Sequence, residues 1–144
     1  MAEAPKQAMP ARRKARKRAL DVLYEEDLRD LPALTVLQSY LDRMPSPHPD
    51  HMAYAVELVQ GVAEHDERID ELIASYSEGW TLNRMPPVDR NLARIAVWEL
   101  IYADDVDDAV AISEALELAA SLSTEDSPRF LNGLLARIAE HTSI

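Results

Sequence analysis

Apolar residues recur along the chain at helical spacing, and this spacing predicts the order of the elements. The first predicted helix begins at about Arg12 and ends at residues 30–32, where Pro32 cannot continue it. Its apolar residues lie at positions i, i+4, i+7 and i+8, so they form one stripe that can dock on a core. These residues are Ala15, Ala19, Val22 and Leu23.

Two further apolar-periodic segments complete the first half. A short helix is predicted to turn Leu34, Leu37, Tyr40, Leu41 and Met44 inward, and the prolines of the 45–50 loop end it. A longer stretch over 52–76 carries core positions at Val56, Val59, Ile69, Leu72 and Ile73. Gly61 lies inside this stretch, and the pattern leaves open whether it marks a break or a close approach of two helices.

The second half is built around one segment that is apolar on almost every side. Between Val88 and Tyr102 only Arg90 and Arg94 share a polar strip, which predicts a helix buried by several neighbours. An acidic loop at 104–108, interpreted as helix capping, precedes a helix with Ile112, Ala115, Leu116, Ala119 and Leu122 inward. Ser127 then Pro128 is the preferred order of N-cap and first helical residue. The last helix should bury Leu131, Leu134, Leu135 and Ile138.

No segment has the period of two that marks a strand, and the chain holds only three glycines. We therefore predict an all-α fold of about six or seven helices packed as bundles. Residues 1–10 have two prolines and no periodicity, so they are predicted to be a disordered lead-in. Residues 11–144 form the single predicted domain, and 144 residues are enough for one buried core.

Composition narrows the classes of protein that fit. The absence of cysteine excludes disulfides and thiolate metal sites. No apolar run reaches the roughly 18 residues that a membrane span needs, and no apolar segment follows the basic N-terminus as in a secretory signal. The sequence thus predicts a cytoplasmic protein without a membrane partner.

Charge is distributed unevenly. Six of the seven residues at 12–18 are basic, so residues 1–20 carry a net charge of +6, whereas residues 21–144 carry −17. This polarity suggests one surface for a polyanion and another for a basic protein. The alternatives are a solvated basic terminus and a solvated acidic face.

Aromatic residues beside the cations point to RNA. Arg13, Lys17 and Tyr24 lie at i, i+4 and i+11, on the face opposite the apolar stripe. Phe130 lies beside Arg129 in the first turn of the last helix, about a quarter turn from its apolar centre. Single-stranded RNA is bound through phosphates and through bases stacked on aromatic rings. A Phe130 folded back into the core is the alternative.

Catalytic and metal chemistry have little support. His48 and His51 form an H-x-x-H, but they lie in a proline-rich loop without a helix to fix them. The acidic cluster at 104–108 lacks the glycine and the closing glutamate of a calcium loop. The sequence contains no glycine-rich phosphate loop, so we predict neither an enzyme nor a cofactor.

Four segments resemble the NusB transcription antitermination family. They are Ala11-Arg12-Arg13-Lys14-Ala15-Arg16 with Leu23-Tyr24, residues 88–100 (VDRNLARIAVWEL), residues 111–119 (AISEALELA), and residues 125–135 (EDSPRFLNGLL). They occur in the family's order and cover nearly the whole chain. Pro128 and Ser113 stand where the family has a His and an Asn, which bears on the fine RNA preference.

The resemblance implies two small helical bundles packed together. It also implies an RNA-binding adaptor that recognises boxA of nascent ribosomal RNA together with the small ribosomal protein NusE, and that acts on RNA polymerase indirectly. The expected RNA-binding residues are Arg12, Arg13, Lys14, Arg16, Lys17, Tyr24, Arg129, Phe130 and Asn132. The expected partner contacts are Asp89 and Glu99, although Glu99 fits equally well as a buried acid paired to an arginine.

Two other functions fit the same residues. An acidic helical scaffold for protein interactions would use the basic run only as a disordered tail. RNA methyltransferases with a similar helical domain would need an α/β cofactor domain, and the 144 residues hold no such segment. The sequence does not decide between a monomer and a homodimer.

Overall fold

The computed structural model describes residues 10–142, so the predicted lead-in lies, apart from Pro10, outside the described residues. Within this range the chain forms seven α-helices and one short 3₁₀ helix, without a strand, which confirms the all-α prediction. The helices are α1 (Ala11–Arg29), α2 (Ala33–Arg43), α3 (Met52–Glu64), α4 (Asp66–Tyr76), α5 (Pro87–Tyr102), α6 (Asp108–Leu122) and α7 (Ser127–Thr142), with the 3₁₀ helix at Leu82–Arg84.

The helices pack as two bundles that are joined through the first helix. α1 packs against α2 and α3 to form one bundle, and α4 to α7 form the other. α1 also packs along α5, which joins the bundles. The predicted apolar stripe of α1 makes these contacts, and all four of its residues are buried: Ala15, Ala19, Val22 and Leu23.

α5 is the central helix, as its apolar pattern predicts. It contacts α1, α3, α4, α6 and α7. Leu92, Ile95 and Val97 are at most 2% exposed. Each such side chain contributes about 1.5–3 kcal/mol when fully buried, so these three residues of α5 stabilise the core substantially.

The break between α3 and α4 lies at His65 and not at Gly61. Gly61 is buried within α3, and a Cβ atom there would overlap the Trp98 ring of α5. Of the two interpretations left open by the sequence, close helix approach is therefore the one observed. The His65 ring stacks on Tyr102 with ring centroids 3.9 Å apart, so the break is also packed against α5.

Some expected positions differ from the prediction. Leu34 and Leu122 were expected inward but are 53% and 41% exposed, because each lines an open groove near a helix end. Ser127 is the first residue of α7 and not its N-cap. Asp107 precedes α6, but its side chain makes no capping hydrogen bond. No helix between Pro10 and Thr142 combines the length and apolarity that crossing a membrane requires.

Candidate nucleic-acid interface

Three of the six cations of the basic run are held by carboxylates outside α1, and Lys17 pairs with Asp21 within α1. Arg13 directs two nitrogen atoms at Glu114 of α6, with Nε–Oε1 2.9 Å and Nη2–Oε2 2.7 Å. These hydrogen bonds are the main reason that the pKa of Glu114 lies below its ordinary value. Arg12 pairs with Asp105 at 3.0 Å, and its guanidinium lies 3.7 Å from the centre of the Tyr54 ring.

Arg16 is buried and forms an ion pair with Glu99 of α5. The two side chains are 4% and 1% exposed, and Arg16 Nη2 lies 2.9 Å from Glu99 Oε2. Tyr54 of α3 donates its hydroxyl to the same carboxylate. Burial, followed by this hydrogen bond, raises the pKa of Tyr54. This corrects Arg16 and Glu99 as exposed contact residues: both are buried in this structure, and Glu99 is the acid paired to an arginine that the sequence also allowed.

Asp89 is also corrected as a partner contact. It is 1% exposed, and Ser123 Oγ donates to its Oδ1 at 2.5 Å. Ser127 Oγ in turn lies 3.0 Å from Ser123 Oγ. Asp89 therefore fixes the start of α5 to the turn between α6 and α7.

Lys17 and Tyr24 lie on the surface as expected. Lys17 forms an i,i+4 ion pair with Asp21 at 2.6 Å. Tyr24 is 37% exposed. Together with Val88 and Leu122 they line a shallow groove of about 170 Å³ between α1, α5 and α6. We name Arg12, Arg13, Arg16 and Lys17, each of which has a carboxylate within 4 Å, the clamped edge of α1.

Phe130 is partly buried, and its ring packs against Trp80 with centroids 4.8 Å apart. Trp80 is 45% exposed, so it presents the larger free ring at this place. Arg129 and Asn132 are exposed beside it on α7. The sequence places Trp80 in a connector but does not single it out, because its pairing with Phe130 across 50 residues has no local signal.

Two cations of the run have no acidic partner in the described part of the chain. Lys14 is exposed, and no carboxylate oxygen of residues 10–142 lies within 4.0 Å of its amine. Arg18 hydrogen-bonds only neutral groups: Nη1 donates to the Tyr40 hydroxyl at 3.1 Å, and Nε lies 3.4 Å from His51 Nε2. We name Lys14, Arg18 and His51 the open edge of α1.

The H-x-x-H histidines do not converge on a metal site. His48 Nε2 lies 3.1 Å from the Leu41 carbonyl oxygen, whereas His51 faces Arg18. The described residues contain no group of three His, Cys, Asp or Glu side chains with metal-binding geometry.

A groove with acidic walls lies near the C-terminal end of α1. It has a volume of about 520 Å³ and is lined by Glu26, Asp27, Asp66 and Asp70, with Arg94 among them. Burial raises the pKa of Glu26, and Arg94 binds Asp70 at 2.9 Å. RNA is repelled from this part of the surface by its negative charge.

The chain is similar in sequence to known proteins. The model of the NusB family matches residues 13–140. The transcription antitermination protein NusB of Salinispora arenicola is 69% identical over 135 residues, which cover 94% of this chain and 99% of that protein. That of Kineococcus radiotolerans is 58% identical, covering 92% and 95%.

Solved structures give the same result. The NusB structure of T. maritima has a TM-score of 0.82 and 32% identity, and covers 96% of each chain. A structure of the antitermination factors NusB and NusE in complex with dsRNA has a TM-score of 0.81 and 28% identity, and covers 93% of this chain and 99% of that one.

Proposed function

The chain belongs to the NusB family of non-enzymatic transcription antitermination factors, and on this premise we propose that it is an adaptor that binds boxA-type sequence of nascent ribosomal RNA together with the ribosomal protein NusE. Its effect on RNA polymerase would then be indirect, through the complex that it joins. The observation that carries the proposal is the pair of exposed rings, Tyr24 and Trp80, together with the cations at the start of α1 and in the first turn of α7.

The aromatic residues flank a single turn. Tyr24 lies beside Leu122, the last residue of α6, and α7 begins five residues later at Ser127. Arg129 and the Phe130–Trp80 pair lie in and against the first turn of α7. A single strand of RNA that stacks one base on Tyr24 can therefore continue over this turn to Trp80, with stacking contributing about 1–3 kcal/mol per base.

The cations beside this path hold carboxylates before RNA arrives. Arg12 and Arg13 are partly exposed, so a phosphate can replace Asp105 and Glu114 as their partner. Each new arginine–phosphate contact replaces an arginine–carboxylate contact, so the affinity of RNA for this chain alone should be modest. Lys14 and Arg129 need no such exchange with any residue of the described range.

NusE in this proposal binds the acidic C-terminal bundle. Residues 66–144 hold 16 acidic and six basic residues, and their net charge of −10 attracts a basic ribosomal protein and speeds its association. Asp89 contributes to this surface only indirectly. It is buried and positions the start of α5, and it does not itself contact the partner. The solved complex of a related NusB with NusE and dsRNA supports the combination of partners.

Fluorescence anisotropy tests the proposal. A labelled boxA-like RNA and a scrambled RNA of the same length are titrated with the protein, with and without NusE. We expect preference for the boxA-like strand and a higher affinity when NusE is present. Equal, weak binding of both strands in both conditions would contradict the proposal and favour the acidic scaffold.

A further inference from the structure

The open edge presents positive charge that the fold leaves uncompensated. Arg18 Nε and Nη1 contact His51 and Tyr40, and Nη2 has no hydrogen-bond partner among residues 10–142. Neutral groups thus fix the orientation of the Arg18 guanidinium, and no carboxylate neutralises its charge. Tyr40 is itself held, because its hydroxyl donates to Asp21 at 3.3 Å.

His51 extends this edge onto the start of α3. Burial first, then the positive charges of Arg18 and Lys14, lower its pKa, so both cations lie close enough to act on the imidazole. Beyond Arg18 the surface opens into a cavity of about 290 Å³ lined by Arg18, Tyr40, Arg43, Met44 and Pro45. Arg43 contributes a second guanidinium there, shared with Glu25 at 3.3 Å.

We propose that Lys14 and Arg18, with His51 and Tyr40 holding Arg18 in place, form a second phosphate-binding edge, along which RNA backbone outside the boxA contact runs toward the α2–α3 loop. The proposal rests on RNA binding as the function of the chain. It adds a contact that the predicted Arg13–Lys17–Tyr24 face does not include. Arg18 and His51 were not among the expected RNA-binding residues.

RNA fits this edge better than an acidic protein segment does. Positions 14 and 18 follow 13 and 17 at about 100° around the same helix, so the two edges adjoin and one strand can contact both. The planar guanidinium of Arg18 retains N–H groups that match phosphate oxygens. The charge of Asp50, which also acts on His51, disfavours either anion equally, so the choice rests on the exposed Tyr24 ring, on which RNA bases can stack and an acidic protein segment cannot.

The test compares two double variants that each remove two positive charges. Lys14→Gln/Arg18→Gln empties the open edge. Arg29→Gln/Arg68→Gln is the matched control, since both arginines are more than half exposed and pair only with an acid of their own helix. A labelled single-stranded RNA that carries boxA with a long flanking sequence is titrated by anisotropy at several salt concentrations.

We expect the open-edge variant to bind about tenfold more weakly than the control at low salt. Its plot of log K against log salt should be flatter by about 1.4, because each phosphate contact to single-stranded nucleic acid contributes roughly 0.7 to the slope. Lys14→Gln alone should give about half of this change in slope with little effect on stability, because the Lys14 side chain is exposed and has no hydrogen bond or ion pair within the described residues. Circular dichroism verifies the fold of the double variant.

Two results would overturn the second edge. One is an open-edge variant with the affinity and slope of the control. The other is binding of polyglutamate to the wild type, lost in the open-edge variant, at the same affinity as RNA, which would assign the edge to an acidic protein. If the wild type binds no RNA at all, the proposed function fails, and this outcome is distinct from failure of the edge alone.

Discussion

The cations of the two edges come from the same seven residues of α1 but differ in what holds their charges. On the clamped edge Arg13 and Arg16 form ion pairs with Glu114 and Glu99. On the open edge Arg18 rests on a phenol and an imidazole. A basic run in a sequence therefore does not equal a basic surface, because part of its charge stabilises the fold and part remains available to a ligand.

The largest effect on stability is expected at the buried Arg16–Glu99 ion pair of the clamped edge. Glu99→Ala leaves Arg16 charged and without its partner in the core, so the free energy of unfolding should fall by roughly 3–5 kcal/mol. Urea denaturation measures this change. The double variant Arg16→Met/Glu99→Leu, which removes both charges, should recover most of the stability; equal losses in both variants would show that packing and not charge is responsible.

Tyr24 lies between the clamped edge and the turn to α7. Its ring would stack on a base of an RNA strand bound along either edge, so its removal tests this stacking. Tyr24→Ala should weaken binding of boxA-like RNA by about 1–3 kcal/mol with little change in stability, since the ring is exposed. Leu28→Ala is the control, because Leu28 is a 57% exposed apolar residue of the same helix. Similar loss of RNA affinity in both variants would remove Tyr24 from the interface.

Releasing a clamp should make the two edges more alike. Glu114→Gln frees Arg13 from a partly exposed ion pair, which is worth roughly 0.2–1 kcal/mol. It also removes the carboxylate oxygen that lies 3.4 Å from Arg16 Nη1, although Arg16 keeps its pair with Glu99. RNA affinity should therefore increase by up to about fivefold, as measured by anisotropy at constant salt. Glu117→Gln on the same helix removes an equal charge without an ion pair to Arg13 and serves as the control. An unchanged affinity in Glu114→Gln would mean that Arg13 does not exchange its carboxylate for phosphate.

The smallest expected effect is the response of the clamp to acid. The pKa of Glu114 in the folded state is lowered from 4.5, chiefly by the hydrogen bonds of Arg13. A lowered pKa stabilises the fold above the unfolded value and loses this contribution as the pH falls through the folded value. The stability difference between wild type and Glu114→Gln should thus be constant at neutral pH and shrink below about pH 4.5, as followed by urea denaturation at each pH.

The sequence predicted the helices well but not the assignment of charges. Spacing alone predicted that Ala15 and Ala19 would be buried, since a stripe at i and i+4 must face the core. Arg16 lies one position beyond Ala15 and is buried as well, because Glu99, 83 residues later, reaches it. Periodicity contains no information on which distant carboxylate meets which cation, so the division into two edges could not be predicted.

The same limit applies to the aromatic rings and to Gly61. Tyr24 was expected on the surface because it lies opposite the apolar stripe, and it is exposed. The sequence does not single out Trp80 as a stacking residue, because only the fold brings it to Phe130. Gly61 suggested two outcomes, and the ring of Trp98 on another helix decides between them.

The Arg16–Glu99 pair, capped by Tyr54, also restricts how this molecule can change over generations. It joins α1, α3 and α5, so three helices from both bundles meet at one carboxylate. Losing either charge strands the other in the interior, so a lineage can leave this arrangement only by altering two codons together or by first acquiring stability elsewhere. Surface cations such as Lys14 are under no comparable restraint and are open to drift with the nucleic acid they meet.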